Sequence, residues 1–182
     1  REGWRRFRAL EARIDELFPG PGSGEDPGAE PPEDGLPRAP GYELIGVMPA
    51  YIEAASALET LRGEGLRLAL LAQDSPDAAE AALRFAGLRD RSDLVPSAEE
   101  AGAYKPDPRP YRMALERTGT TEDELCHVSA YWWDVLGAKR AGLQTGWVAR
   151  QERALLDTVP EPDYRGRDLA DEAGAIVARL RG

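Results

Sequence analysis

The chain has few residues of several types, and each shortage excludes a class of structure. Its single cysteine, Cys126, excludes an internal disulfide and favours a reducing compartment, so we expect a cytoplasmic protein. One cysteine and one histidine are too few for the usual zinc clusters. The sequence has no run of about 18 apolar residues, so we expect no membrane span.

Positive charge is also scarce. The chain has 23 lysines and arginines against 33 aspartates and glutamates, which gives a net charge of −10 at pH 7. Nucleic acids and anionic membranes attract clustered positive charge, so we expect neither as a partner. A length of 182 residues with 42% hydrophobic content suits one domain over residues 1–182 with a sizeable core.

Lysine is rarer still, because Lys105 and Lys139 are the only two lysines in the chain. An ammonium is a compact point charge that a guanidinium does not replace. A lysine that stands inside a recognisable motif of this arginine-rich chain therefore indicates a specific role.

Hydrophobic periodicity predicts alternating helices and strands. Residues 19–41 are rich in proline, glycine and acidic side chains, which predicts a flexible linker. Strands that alternate with helices predict an α/β fold, with a mostly parallel sheet covered by helices on both faces. Strands are predicted at 66–71, 93–95, 126–129 and 145–149. Helical segments are predicted at 4–17, at 42–63 (broken at Pro49), after Asp74-Ser75-Pro76, at 108–118 (begun by proline), at 133–141 and at 168–180. Thr121 and Glu124 fit a capping box.

Two stretches, residues 104–111 and 128–139, carry most of the chemical information. The first predicts a turn that leads into a helix, and the second predicts a strand that runs into a helix. Both place polar side chains where the strands of an α/β sheet end, and such folds bind ligands there. A lysine close to a carboxylate stays protonated and can stabilise an anionic substrate or intermediate.

These two stretches resemble the third and fourth motifs of the haloacid dehalogenase (HAD) superfamily, in the form found in type II L-2-haloacid dehalogenases. Weaker likenesses follow the family's order at 15–20, 48–55, 82–88 and 162–169, so the resemblance covers nearly the whole chain. It implies a HAD-like Rossmannoid core. In that family an aspartate at the tip of the first strand attacks the substrate and forms a covalent ester.

The resemblance also implies roles for individual residues. Lys105 would offset the charge of the carboxylates, Ser129 would supply a hydrogen-bonding hydroxyl, and Asp134 would hold Lys105 in place. We therefore predict these three residues as catalytic. The predicted substrate-binding residues are Tyr111, Tyr131 and Gln73.

Three departures from the family pattern matter for function. The nucleophilic aspartate would lie upstream of Arg1. Either residues that precede Arg1 supply this aspartate and its strand, or another segment fills the position of that strand. The Ser-Asn-Gly after the second strand reads Ala72-Gln73-Asp74, and Ala72 has no hydroxyl to orient a substrate. Tyr131 stands where type II dehalogenases carry asparagine, which predicts a smaller and more aromatic polar end of the pocket.

The cap and the metal site of the family are also expected to be missing. The family inserts its helical cap after residue 20, where this chain has the linker 19–41, so we expect the cap to be largely lost. Phosphatase members bind Mg²⁺ with the nucleophile and a second acid, which aligns with Ala130 here. Asp134 alone would be a poor magnesium site, so we expect metal independence and no cofactor.

Each of these side chains also has a purely structural interpretation. Asp134 could cap the helix that follows it, and Ser129 could satisfy backbone groups at a strand end. His127, inside an apolar strand, favours a satisfied core histidine. Packing in the core or at an interface is the structural alternative for Tyr111, Trp132 and Trp133.

Two classes of function remain open. The first is a protein derived from a 2-haloacid dehalogenase-type hydrolase, which acts on or binds a small carboxylated molecule without the standard aspartyl-ester mechanism. The second is a non-catalytic HAD-fold scaffold or binding partner. The altered second motif favours loss of the ancestral hydrolysis, whereas the retained Lys105, Ser129 and Asp134 favour a working pocket. A homodimer or a protein partner also stays open.

Overall fold

The structure is a computed structural model that describes residues 49–182 apart from 151, 153 and 158. The predicted helix at 4–17 and the predicted linker at 19–41, with the cap that it would replace, lie outside the described residues. Helix α1, Ala54–Gly63, forms the second part of the helical segment predicted at 42–63. None of the helices in the described part is long and apolar enough to cross a membrane.

Three strands form a parallel sheet in the order β1, β2, β3. Strand β1 is Cys126–Ser129, as predicted, and β2 is Gln144–Val148, one residue earlier than predicted. Strand β3, Tyr164–Gly166, was not predicted, because three residues beside a proline-rich loop give too short a pattern.

A second pair of extended segments, residues 68–72 and 93–98, also runs parallel. The N–H of Leu70 donates to the carbonyl of Leu94 at 3.0 Å, and the N–H of Ala72 donates to the carbonyl of Pro96 at 2.9 Å. The strands predicted at 66–71 and 93–95 are therefore formed only in part, as paired extended segments. They form isolated bridges rather than a regular ladder.

The helices begin where local signals predict them. Ser75 caps α2 by accepting from the N–H of Ala78 at 3.3 Å, and Asp107 caps α3 by accepting from the N–H of Arg109 at 2.9 Å. The Thr121 N–H donates to Glu124 at 3.0 Å, but this contact closes a turn rather than starting a helix. The bounds are Pro76–Phe85 for α2, Pro108–Thr118 for α3, Trp132–Arg140 for α4 and Leu169–Arg181 for α5, with a short 3₁₀ helix at Arg89–Arg91.

The helices form two layers on opposite faces of β1. Successive side chains of a strand point to opposite faces. Cys126 and Val128 pack into an apolar cluster with α1 and α5. His127, between them, instead meets the ring of Tyr111 on α3 edge to face, with 5.3 Å between ring centroids.

Among the described residues, no strand connects residues 68–72 to β1. Leu70 and Ala72 direct their N–H groups to 93–98, so Ala69 and Leu71 face the other way, and their N–H groups have no partner among the described residues. All of β1 is only half-buried, whereas residues 145–148 of β2 are buried. A strand of a parallel sheet is normally buried on both faces. We therefore describe the space between residues 68–72 and β1 as an open edge in the described part of the chain.

Amide hydrogen exchange should alternate along this edge. We expect the N–H groups of Leu70 and Ala72 to exchange at least about tenfold more slowly than those of Ala69 and Leu71, because among the residues that the structure describes only the first two have a hydrogen-bond acceptor. Residue-resolved exchange by NMR measures all four amides in one sample, so Leu70 and Ala72 serve as internal controls. Equal protection of the four amides would contradict the open edge and would require a partner strand there.

Candidate active site

Asp134, in the first turn of α4, is the centre of a buried polar cluster. Its side chain is 4% exposed. One carboxylate oxygen lies 3.1 Å from the ammonium Nζ of Lys105, and the other accepts a 2.6 Å hydrogen bond from the hydroxyl of Tyr111. The Nε2 atom of His127 lies 3.0 Å from that second oxygen without the geometry of a hydrogen bond. Asp134 therefore contacts these groups instead of capping its helix.

The surroundings of Asp134 fix its charge. Burial alone would raise the pKa of this carboxyl, but the neighbouring His127, Lys105 and Tyr111 outweigh burial and hold the pKa well below its usual range. Burial and the adjacent Asp134 carboxylate raise the pKa of the Tyr111 hydroxyl far above its ordinary value. At neutral pH the cluster therefore contains an ionised Asp134 and a protonated Tyr111.

Lys105 is held by its backbone as well as by its side chain. The side-chain amide of Gln73 accepts from the Lys105 N–H and donates to the Lys105 carbonyl, both at 2.9 Å. Nζ also donates to the carbonyl of Leu71 at 3.0 Å. Through these bonds Lys105 links the carboxyl end of residues 68–72 to Asp134, which follows β1.

The ammonium of Lys105 retains unused donor capacity. An ammonium has three N–H donors, and Nζ makes two hydrogen bonds among the described residues, to Leu71 and to Asp134. The side chain is only 9% exposed, so water has little access to the third donor. A buried charged donor without a protein partner is suited to an anionic ligand.

Gly137 allows α3 and α4 to approach this closely. A side chain at Gly137 would overlap the Tyr111 hydroxyl and the ring of Pro106. This glycine was not among the predicted site residues. A glycine inside an otherwise regular helix is the signal that could have pointed to it, because glycine in a helix interior is unfavourable unless something packs against it.

Ser129, Tyr131 and the two adjacent tryptophans lie where β1 enters α4. The Ser129 hydroxyl accepts from the N–H of Tyr131 at 3.3 Å, and the Tyr131 ring, 44% exposed, stacks on Trp133 with 5.6 Å between centroids. Trp132 points the other way and packs against a buried cluster that contains Trp147. Its backbone N–H donates to the carboxylate of Glu152 at 2.9 Å.

The predicted site residues are thus brought together in part. Lys105, Tyr111 and Asp134 form one cluster, and Gln73 holds the Lys105 backbone rather than facing a ligand. The others, Ser129 and Tyr131, lie at the adjacent start of α4. The sequence favoured a core histidine at position 127. Its ring, 12% exposed, lies beside Asp134, a contact that only the tertiary structure reveals.

The described residues do not fit a magnesium site. Among them, no group of three or more histidine, cysteine, aspartate or glutamate side chains is placed to hold a metal ion. The acid closest to such a role, Asp134, uses both carboxylate oxygens for Lys105 and Tyr111. Metal independence of the complete protein stays a prediction.

A parallel α/β core with a lysine and a carboxylate where its strands end defines a Rossmann-like protein with a ligand site at that edge. A family model described as haloacid dehalogenase-like hydrolase matches residues 3–142. The chain therefore belongs to the haloacid dehalogenase-like hydrolases, as the two sequence motifs predicted.

Individual relatives include two kinds of enzyme. The chain is 33% identical over 119 residues to an (S)-2-haloacid dehalogenase of Pseudomonas sp. (strain YL), which covers 65% of this chain and 51% of the relative. It is 40% identical over 126 residues to a phosphoserine phosphatase of Thermus thermophilus, which covers 68% of this chain and 49% of the relative. The chain thus spans about half the length of the curated relatives that it matches.

Solved structures agree with this assignment. The L-2-haloacid dehalogenase of Xanthobacter autotrophicus superposes with a TM-score of 0.69 at 25% identity, covering 82% of this chain and 69% of that one. A dehalogenase solved as an intermediate complex superposes with a TM-score of 0.67 at 31% identity, covering 70% of this chain and 57% of that one. The predicted HAD-like α/β fold is confirmed.

Proposed function

We propose that the chain binds a small carboxylated molecule at Lys105 and does so without the standard aspartyl-ester mechanism. The observation that carries the proposal is the third N–H donor of the buried ammonium, which has no partner among the described residues. The positive end of the α4 dipole lies beside it and adds attraction for an anion. The site thus offers a carboxylate a charged hydrogen bond in a partly desolvated setting.

The hydrogen bonds of the acids near Lys105, among the described residues, support the second half of the proposal. Asp134 is committed to Lys105 and Tyr111, so neither of its oxygens is free to attack a substrate. The carboxylate of Asp74 accepts from the N–H of Ser75 at 2.8 Å. Neither acid is therefore placed as an unengaged carboxylate of the kind that a covalent ester mechanism needs.

The relatives support the substrate class. The names of two of them specify an (S)-2-haloacid and phosphoserine, which are both small carboxylated molecules. These substrates belong to the relatives, and for this chain they guide the choice of ligands.

The second candidate is a HAD-fold scaffold without catalysis. It is supported by the contacts of the Asp134 side chain, which join α3, α4 and β1. These contacts would stabilise the fold even if no ligand bound. Ala72, where the family carries a hydroxyl, supports it as well.

Replacing Lys105 tests the two candidates. We expect Lys105→Met to weaken the binding of acetate and 2-chloropropionate about 10- to 100-fold, because a hydrogen bond to a charged group contributes about 1.5–3 kcal/mol. The measurement is isothermal titration calorimetry on variants whose circular dichroism matches the parent chain. If the methionine variant does not fold, Lys105→Gln is measured in its place.

Lys139 provides the matched control. It is the other lysine of the chain, and it also pairs with a carboxylate, that of Asp163 at 2.7 Å. Lys139→Met should leave carboxylate binding as it is. Binding that survives in the Lys105 variants would overturn the proposal and favour the scaffold.

Turnover is measured separately from binding. We expect the chain to bind 2-chloropropionate without releasing chloride, and phosphoserine without releasing phosphate when Mg²⁺ is added. Release of either ion would contradict the expected lack of turnover while leaving the binding site in place.

A further inference from the structure

A pair of stacked rings, the exposed Tyr131 and the half-buried Trp133, stands at the start of α4. Tyr131 is 44% exposed, and its ring lies 19° from parallel to that of Trp133, with 5.6 Å between the centroids. This is the offset arrangement that aromatic rings prefer. Trp132, between them in sequence, packs instead against a buried cluster that contains Trp147.

The ring pair stands at the start of the helix that carries Asp134. Tyr131 is the N-cap residue of α4, and Asp134 follows three residues further on, in the first turn. Asp134 in turn contacts the Lys105 ammonium at 3.1 Å. The backbone on both sides of the Tyr131 Cα is held, because its N–H donates to Ser129 and its carbonyl accepts from the N–H of Asp134 at 3.2 Å.

We propose that Tyr131 is a specificity-determining residue that makes the site prefer carboxylates carrying a flat ring, of the arylacetate type, to carboxylates of similar size without one. The inference rests on the proposed carboxylate binding at Lys105. The carboxylate occupies the free ammonium donor, and the ring one or two bonds away lies against the exposed face of Tyr131. A rigid aromatic platform costs little conformational entropy when a ligand binds.

Phenylacetate and cyclohexylacetate are the probes, because they share charge and carbon count and differ in the flatness of the ring. We expect phenylacetate to bind about three- to tenfold more tightly, the size of a typical aromatic pair interaction. In Tyr131→Ala this ratio falls to about one, and Tyr131→Phe restores it because the phenyl ring keeps the stack. Calorimetry measures the dissociation constants, and the fluorescence of Trp133 gives a second readout of ring contact.

Phe85→Ala is the matched control. Phe85 is 56% exposed at the last residue of α2, about 15 Å along the helix from its start near Gln73, so its loss should leave the ratio unchanged. A ratio near one in the parent chain, or a preference that persists in Tyr131→Ala, would overturn the inference and leave the Lys105 proposal standing. If neither probe nor acetate binds the parent chain, the proposed function fails and the inference fails with it.

Discussion

Replacing Asp134 with alanine is expected to lower the free energy of unfolding by about 3–5 kcal/mol, the usual cost of removing one partner from a buried ion pair. The side chains of Lys105 and Asp134 are 9% and 4% exposed, so the variant would leave the ammonium buried without its counter-charge. Tyr111 would also lose the acceptor of its 2.6 Å hydrogen bond. Urea unfolding of both proteins at pH 7 measures the difference.

A second change should recover part of this loss. In Lys105→Met combined with Asp134→Ala, no charge remains without a partner, so the double variant should be more stable than the sum of the single changes predicts, by about 1–3 kcal/mol. Strictly additive losses would contradict the idea that the pair is coupled through its charge.

Tyr111→Phe separates the hydrogen bond from the charge. It removes one donor to Asp134 and leaves the ion pair, so we expect a loss of about 1–2 kcal/mol. A loss as large as that of Asp134→Ala would mean that packing of α3 against α4, rather than charge, holds this region together.

The sequence could predict those parts of the site that depend on local signals. Asp107 and Pro108 start α3, and Gly119, at φ 65°, ends it in the left-handed conformation that glycine adopts freely. Lys105 and Asp134 were found because their motifs place them at strand ends. That Asp134 uses both oxygens could not be predicted, since the contacts come from residues 23 and 29 positions away in the sequence.

Contacts across the sheet explain the other differences. His127 reads as an apolar-strand residue, and only the packing of α3 and α4 on its face of β1 brings Asp134 within 3.0 Å. Gly137 carries no chemistry of its own, and its role depends on two groups that pack against it, Tyr111 and Pro106. Such information resides in side-chain packing between distant elements, which periodicity and spacing do not encode.

Glu172 shows the same limit and leads to a second large effect. An acid in the first turn of a helix is usually solvated, as the neighbouring Asp171 partly is. Glu172 is instead fully buried, and neither of its oxygens has a hydrogen-bond partner among the described residues. Its carboxyl group lies against Gly146 of β2, where a side chain would overlap it. Burial raises the pKa of Glu172 from 4.5 to about 7.

This shift makes the chain less stable as the pH rises. Below pH 4.5 the carboxyl is protonated in both the folded and the unfolded chain, so it contributes no pH dependence. Between 4.5 and about 7 the unfolded chain releases this proton while the folded chain keeps it, so folding becomes less favourable by about 3 kcal/mol in total. Above about 7 both forms are ionised and the penalty is constant. The titratable neighbours Cys126, with a pKa raised to about 12, and Tyr164, with a pKa raised by burial, stay protonated over this range.

Glu172→Gln should therefore remove this pH dependence. We expect the stability difference between the variant and the parent chain to move in favour of the variant by about 3 kcal/mol from pH 4.5 to pH 8, measured by urea unfolding at several pH values. Other groups, such as Asp134 with its lowered pKa, make the chain more stable as the pH rises, but only in more acidic solution. Their contribution is the same in both proteins, so it cancels when the two free energies of unfolding are subtracted. Asp171→Asn is the matched control, because Arg167 lowers the pKa of Asp171 and removes its titration from this range. A difference between Glu172→Gln and the parent chain that stays constant with pH would show that Glu172 finds a donor or water in solution. Its carboxylate would then be stabilised by that partner, and the apolar contact with β2 would not set its charge.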